Sequence, residues 1–155
     1  MINAPVPRDE AGSASAAGGP DAATAADGRQ YSALYVDDHA LNRLVMEGLF
    51  ESMPNWTLAL AQDAQTCLER VADATPDLIL LDIHLEGLHG ADLMHRVRRL
   101  PGLGTLPAIA VSADGQPEDI AAAMRAGFDD YWVKPLDLGR MQHSLARLFA
   151  DRAAG

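Results

Sequence analysis

The sequence predicts an α/β domain in which helices cover both faces of a parallel sheet. Three observations predict it. Between Tyr31 and Phe149, five short apolar runs alternate with five stretches of helical period. The runs are apolar throughout rather than alternating, the pattern of strands that helices cover on both sides. Several of them deliver a charged or hydroxyl residue at the carboxyl end. Right-handed crossovers then give a doubly wound sandwich, which binds ligands beyond the carboxyl ends of its strands.

The elements follow in order. The first strand is Tyr31 to Val36. A helix from about Ala40 to Ser52 carries Leu41, Leu44, Val45, Gly48 and Leu49 at helical spacing, taken as its inward stripe, and Pro54 stops it. "WTLALA", Trp56 to Ala61, is the second strand. Asp63 can cap a second helix, where Ala64, Leu68 and Val71 share a face. "DLILLD", Asp77 to Asp82, is the third strand. A third helix follows Gly90, with Leu93, Val97 and Leu100 inward. The fourth strand is Leu106 to Val111. "PEDIAAAMRAG" is a fourth helix, with Pro117 near its start and Gly127 past its end, the asymmetry helices prefer. "DYWV" is the fifth strand. After Lys134-Pro135, Asp137 can cap a fifth helix with Leu138, Met141, Leu145 and Leu148 on one stripe.

The chain divides into residues 1–29, a disordered Ala/Gly/Pro/Ser-rich tail or linker, residues 30–150, the folded domain, and residues 151–155, a short C-terminal tail. About half of the 155 residues are apolar, enough for a core. The net charge of −10 argues against nucleic acid as a partner. No run approaches a membrane span, and no apolar core marks export. A single cysteine, Cys67, excludes an internal disulfide and suits a reducing cytoplasm; it reads as a small core residue.

Five polar residues fall at strand ends: Asp37 and Asp38 after the first, Asp82 at the third, Ser112 at the fourth and Lys134 at the fifth. Clustered carboxylates raise one another's pKa unless a cation neutralises them. Oxygen ligands with an open position suit Mg²⁺, which shares ligands with phosphate. With Lys134 it would stabilise a phosphoryl group in transfer, and a carboxylate beside it would be the nucleophile that becomes an aspartyl phosphate. Ser112 would donate to a phosphoryl oxygen.

These residues resemble a response-regulator receiver domain (CheY-like) of two-component signalling, over about Tyr31 to Phe149. The motifs are "DD" after the first strand, "LLDIHLEGLHG" around Asp82, "VSA" with Ser112 and "DDYWVKP" with Lys134. Receivers of hybrid histidine kinases look closest. The resemblance implies a flavodoxin-like sheet of strand order 2-1-3-4-5. It implies Asp82 as phosphoacceptor, Mg²⁺ held by Asp38, Asp82 and the backbone carbonyl of His84, and Asp37 acting through water. It implies Lys134 on the phosphoryl group, a cis Lys134-Pro135 bond, and Ser112 and Tyr131 as the switch that reshapes the surface of helix four, strand five and helix five. His84 and Asp114 hold the positions that tune phosphate lifetime. Its partners would be a histidine kinase or a histidine phosphotransfer protein, with a downstream protein or a second copy on the switch surface. It would not be an enzyme acting on an outside metabolite.

Glu86 departs from the proline common four residues after the acceptor, which is expected to add an acid and loosen the loop. Ser112 replaces the commoner Thr. On the first helix, Asn42, Met46 and Phe50 are taken to face outward and offer a docking surface for the phosphodonor. His39 reads as a helix-start residue near solvent, "RVRR" (Arg96 to Arg99) as a solvated helix end, and Trp132 as packing. No output domain follows the fifth helix, so the chain reads as a stand-alone receiver or a piece of a hybrid kinase. A haloacid-dehalogenase-type phosphohydrolase would want an acid where His84 stands. A dinucleotide-binding module would need a glycine-rich turn in place of "DDHALN". The complete residue set argues against a receiver-like module that is never phosphorylated.

Overall fold

The computed structural model describes residues 28–154, so the tail expected over residues 1–29 lies almost wholly outside the described residues. Five strands form one parallel sheet: β1 (Tyr31–Val36), β2 (Trp56–Ala61), β3 (Leu78–Asp82), β6 (Ala108–Ser112) and β7 (Asp130–Val133). Their order is β2-β1-β3-β6-β7, the 2-1-3-4-5 order of the flavodoxin-like fold. The helices are α1 (Ala40–Phe50), α2 (Ala64–Asp73), α3 (Gly90–Arg98), α4 (Pro117–Ala126) and α5 (Leu138–Ala154). Residues 30–138 form one compact unit, and within α5 Met141, Ser144, Leu145 and Phe149 are buried.

Local chemistry sets the helix ends. Asp63 caps α2 by accepting from the Thr66 N–H at 2.8 Å, which holds its carboxyl below the ordinary range. Pro117 opens α4, and Gly127 ends it at φ 115°, a left-handed conformation that glycine alone adopts freely. His89 caps α3, its ring Nδ1 accepting from the Ala91 N–H at 3.1 Å.

Strand alternation gives the sheet two faces. Leu34, Val36, Ile79, Leu81, Ala108 and Ala110 meet Cys67 and Val71 of α2 and Leu93, Met94 and Val97 of α3. Burial pushes the Cys67 thiol up to about 12, so it is an inert core residue. The opposite face carries Ala33, Tyr35, Leu80, Ile109 and Val111, all buried.

Here one expectation is overturned. Met46 and Phe50 of α1 are 0% and 4% exposed, whereas Leu41, Leu44 and Val45 are 68%, 63% and 49% exposed. Phe50 packs edge-on against Trp56, ring centroids 6.1 Å apart, and Asn42 is half-buried. The outward surface expected from Asn42, Met46 and Phe50 is therefore the buried side. The reason is tertiary. Only Asp37, Asp38 and His39 separate β1 from α1, and Arg43 reaches back to the Asp37 carbonyl at 2.7 Å. That short tether sets the rotation of α1, and hydrophobic count does not.

Smaller differences concern the ends. β3 starts at Leu78, and β6 runs from Ala108 to Ser112, two residues later than Leu106. A two-stranded hairpin not foreseen in the sequence, β4 (His84–Leu85) with β5 (Leu88–His89), follows Asp82. Gly87 turns it at φ 76°. "RVRR" is not simply solvated: Arg98 donates to the carbonyls of Leu106 and Gly127 and pairs with Asp129 at 3.1 Å, joining α3 to the start of β6 and β7.

Candidate functional site

Parallel strands bring their carboxyl ends to one edge of the sheet. Asp82 is the last residue of β3, Ser112 the last of β6, Asp37 and Asp38 follow β1, and Lys134 follows β7. The structure thus gathers all five strand-end residues. The Lys134 ammonium lies 3.3 Å from Asp37 Oδ2 and 3.5 Å from Asp82 Oδ2. The Lys134-Pro135 bond is cis, as expected.

Asp37 is fully buried and held from every side. Its Oδ2 accepts from the Tyr35 hydroxyl at 2.5 Å, and its Oδ1 from the His39 N–H at 2.9 Å. Burial alone would raise its carboxyl, but those donors and Lys134 outweigh it, so Asp37 lies below the ordinary range. Asp82 goes the other way. Burial raises it and the Asp37 charge adds to that, against the His84 N–H at 2.9 Å from Oδ1 and Lys134. Burial likewise raises the Tyr35 hydroxyl, which therefore stays a donor.

Tyr35 was not among the residues singled out from sequence. Its signal was present: it lies two residues before Asp37, and period two puts both on one face of β1.

Asp38 is held differently. Its Oδ2 accepts from the Glu86 N–H at 2.8 Å, while its Oδ1 is buried without a hydrogen-bond partner among the described residues. A proline at position 86 would have no N–H to give. Glu86 thus ties the hairpin turn to Asp38 through a bond that a proline could not make.

An orphaned buried carboxylate oxygen beside a second and third carboxylate is what a hard divalent cation satisfies. Asp37, Asp38, His39 and Asp82 each offer one ligand atom, all within 4.8 Å of one another. The donor set fits a cation.

Asp114 is a node. Its carboxylate lies 2.8 Å from His84 Nε2, its N–H donates to Ser112 Oγ at 3.0 Å, and its carbonyl accepts from the Tyr131 hydroxyl at 2.6 Å. The two residues expected to tune lifetime thus touch each other, and the two expected to switch both touch one of them. His84 is exposed, and Trp132 is buried.

The profile of the response regulator receiver domain matches residues 33–146. The sensory/regulatory protein RpfC of Xanthomonas campestris pv. campestris is 31% identical over 122 residues, covering 77% of this chain. The chain spans only 17% of that relative's length. The chemotaxis protein CheY of Pseudomonas aeruginosa is 28% identical, over 75% of this chain and 94% of its own. A crystal structure of a putative response regulator from Chloroflexus aurantiacus superposes with a TM-score of 0.72 at 25% identity, covering 79% of this chain and 99% of the other.

Proposed function

The chain belongs to the response regulator receiver domain family of two-component signalling, and from that premise we propose that Asp82 is its phosphoacceptor and that it takes the phosphoryl group from a phospho-histidine. The observation that carries this is the Lys134 ammonium between two buried carboxylates, Asp37 and Asp82, one of them ending β3. A carboxylate oxygen of Asp82 attacks phosphorus. The P–N bond to the donor's imidazole breaks, and its electron pair returns to the ring nitrogen. Hydrolysis reverses the change: water attacks phosphorus, the P–O bond breaks, and the Asp82 carboxylate returns.

Asp38 through its open Oδ1, Asp82 and the backbone carbonyl of His84 would hold Mg²⁺, with Asp37 behind them. The ion supplies charge neutralisation for the phosphoryl oxygens. Lys134 orients and stabilises the same oxygens from the other side. Ser112 leaves the Asp114 N–H to donate to the phosphoryl group, and Tyr131 leaves the Asp114 carbonyl. That exchange is read at α4 and β7 by a downstream partner. The donor, a histidine kinase or histidine phosphotransfer protein, lands on the exposed apolar side of α1, Leu41, Leu44 and Val45. A cytoplasmic setting fits the buried free thiol of Cys67. Among the described residues no helix is long and apolar enough to cross a membrane.

Incubation with acetyl phosphate and Mg²⁺ followed by intact mass tests the reading. One phosphoryl adduct is expected, absent in Asp82→Asn; an adduct that survives this change would move the acceptor elsewhere. A finer expectation concerns the His84–Asp114 pair, which stands beside the acceptor. His84→Ala or Asp114→Ala is expected to change the dephosphorylation rate several-fold, read by loss of the adduct over time. Rates equal to wild type in both variants would remove the pair from the hydrolysis.

A further inference from the structure

His39 is the first residue to follow the acidic pair, and its ring does something a helix cap does not. As the residue before α1 it makes no side-chain capping bond. Instead its Nδ1 lies 3.3 Å from Asp37 Oδ1 and 3.0 Å from Asp38 Oδ1. One ring nitrogen has one hydrogen or one lone pair in the ring plane, so it can serve only one of these oxygens. The approach to Asp37 has hydrogen-bond geometry. The closer approach, to Asp38, has none, and Asp38 Oδ1 is the buried oxygen left without a partner. Its other oxygen is fixed by the Glu86 N–H, so the carboxylate has no easy rotation that would pair Oδ1. A nitrogen and an oxygen about 3 Å apart are also spaced as neighbouring ligands of an octahedral cation with bonds of about 2.1 Å.

We propose that His39 Nδ1 is an additional donor to the cation held by Asp38 and Asp82, and that it makes the site prefer a first-row transition cation to magnesium. The inference rests on the reading of Asp37, Asp38 and Asp82 as a cation site. Mg²⁺ takes oxygen ligands and gains little from imidazole, whereas Co²⁺, Ni²⁺ and Zn²⁺ gain from it. The ring is more than half exposed and the residue lies outside the core, so its replacement leaves the packing intact.

Titration calorimetry of the full chain with Co²⁺ and with Mg²⁺, each alone, tests this on wild type, His39→Ala and Asp38→Asn. Wild type is expected to bind Co²⁺ the more tightly. His39→Ala is expected to lose about tenfold or more of the Co²⁺ affinity, the scale on which even an outer-shell partner matters, with Mg²⁺ affinity nearly unchanged. Proton NMR of the Co²⁺ form gives an independent signature: a far-shifted exchangeable imidazole N–H signal in wild type, absent in His39→Ala. Equal losses for both cations, no loss, tighter binding in His39→Ala, or a shifted signal that persists there overturns the role of His39. If wild type binds neither cation, or Asp38→Asn binds both as wild type does, the cation site itself fails and the inference goes with it.

Discussion

Met46→Asp is expected to unfold the domain. The side chain is fully buried in α1. An aspartate there would be an unpaired charge in an apolar interior, at a cost of about 4 kcal/mol or more. That is a large share of the roughly 5–15 kcal/mol by which a domain is stable. Circular dichroism during urea unfolding reads it as a midpoint shifted far down or lost. Leu44→Asp is the matched contrast. Leu44 is exposed, so the same change two residues earlier should leave the unfolding free energy within about a few tenths of a kcal/mol of wild type. It should slow phosphotransfer from a histidine donor while leaving phosphorylation by acetyl phosphate unchanged. A Met46→Asp protein as stable as wild type would overturn the rotation of α1. Equal slowing of Leu44→Asp with both donors would overturn the docking face.

Lys134→Ala should leave a folded domain that takes up phosphate from acetyl phosphate about a hundred to a thousand times more slowly. The magnitude is that of removing one preorganised charge or donor from a buried reacting centre. Two effects point the same way. Lys134 is the cation beside both Asp37 Oδ2 and Asp82 Oδ2, at 3.3 and 3.5 Å. Without it the phosphoryl oxygens lose the ammonium that lies beside both carboxylates. Lys134 also holds the Asp82 carboxyl down against burial and the Asp37 charge, so its loss moves Asp82 further toward the protonated form, which is no nucleophile. The adduct followed over time by intact mass at saturating Mg²⁺ measures the rate. A rate within a few-fold of wild type would mean that Lys134 serves packing or charge balance alone.

Much of the site was legible because its signals are local. An apolar run that stops at Asp37 and Asp38, another that stops at Asp82, and a Lys-Pro after the last strand each announce a strand end. Parallel order then places those ends together. Tyr35 was legible in principle, by period two from Asp37. The Glu86 N–H on Asp38 was not, since a backbone donor leaves no mark in residue type beyond the absence of proline. Asp114 as the meeting point of Ser112, Tyr131 and His84 depends on three segments that are distant in the chain. Arg98 likewise finds Leu106, Gly127 and Asp129 only after the strands have assembled.

The sequence alone determined the alternation of strands and helices, the parallel sheet, and the identity of the strand-end residues, because periodicity and chain order carry that information without reference to neighbours. Only the tertiary structure decided which side of α1 is buried. Both sides hold apolar residues, so composition is ambiguous there. The three-residue tether from β1, the Arg43 reach to Asp37 and the packing of Phe50 on Trp56 resolve it. The same holds for Asp38: its charge was plain in the chain, but which oxygen is tied and which is left open follows from where the Glu86 N–H and the His39 ring come to rest.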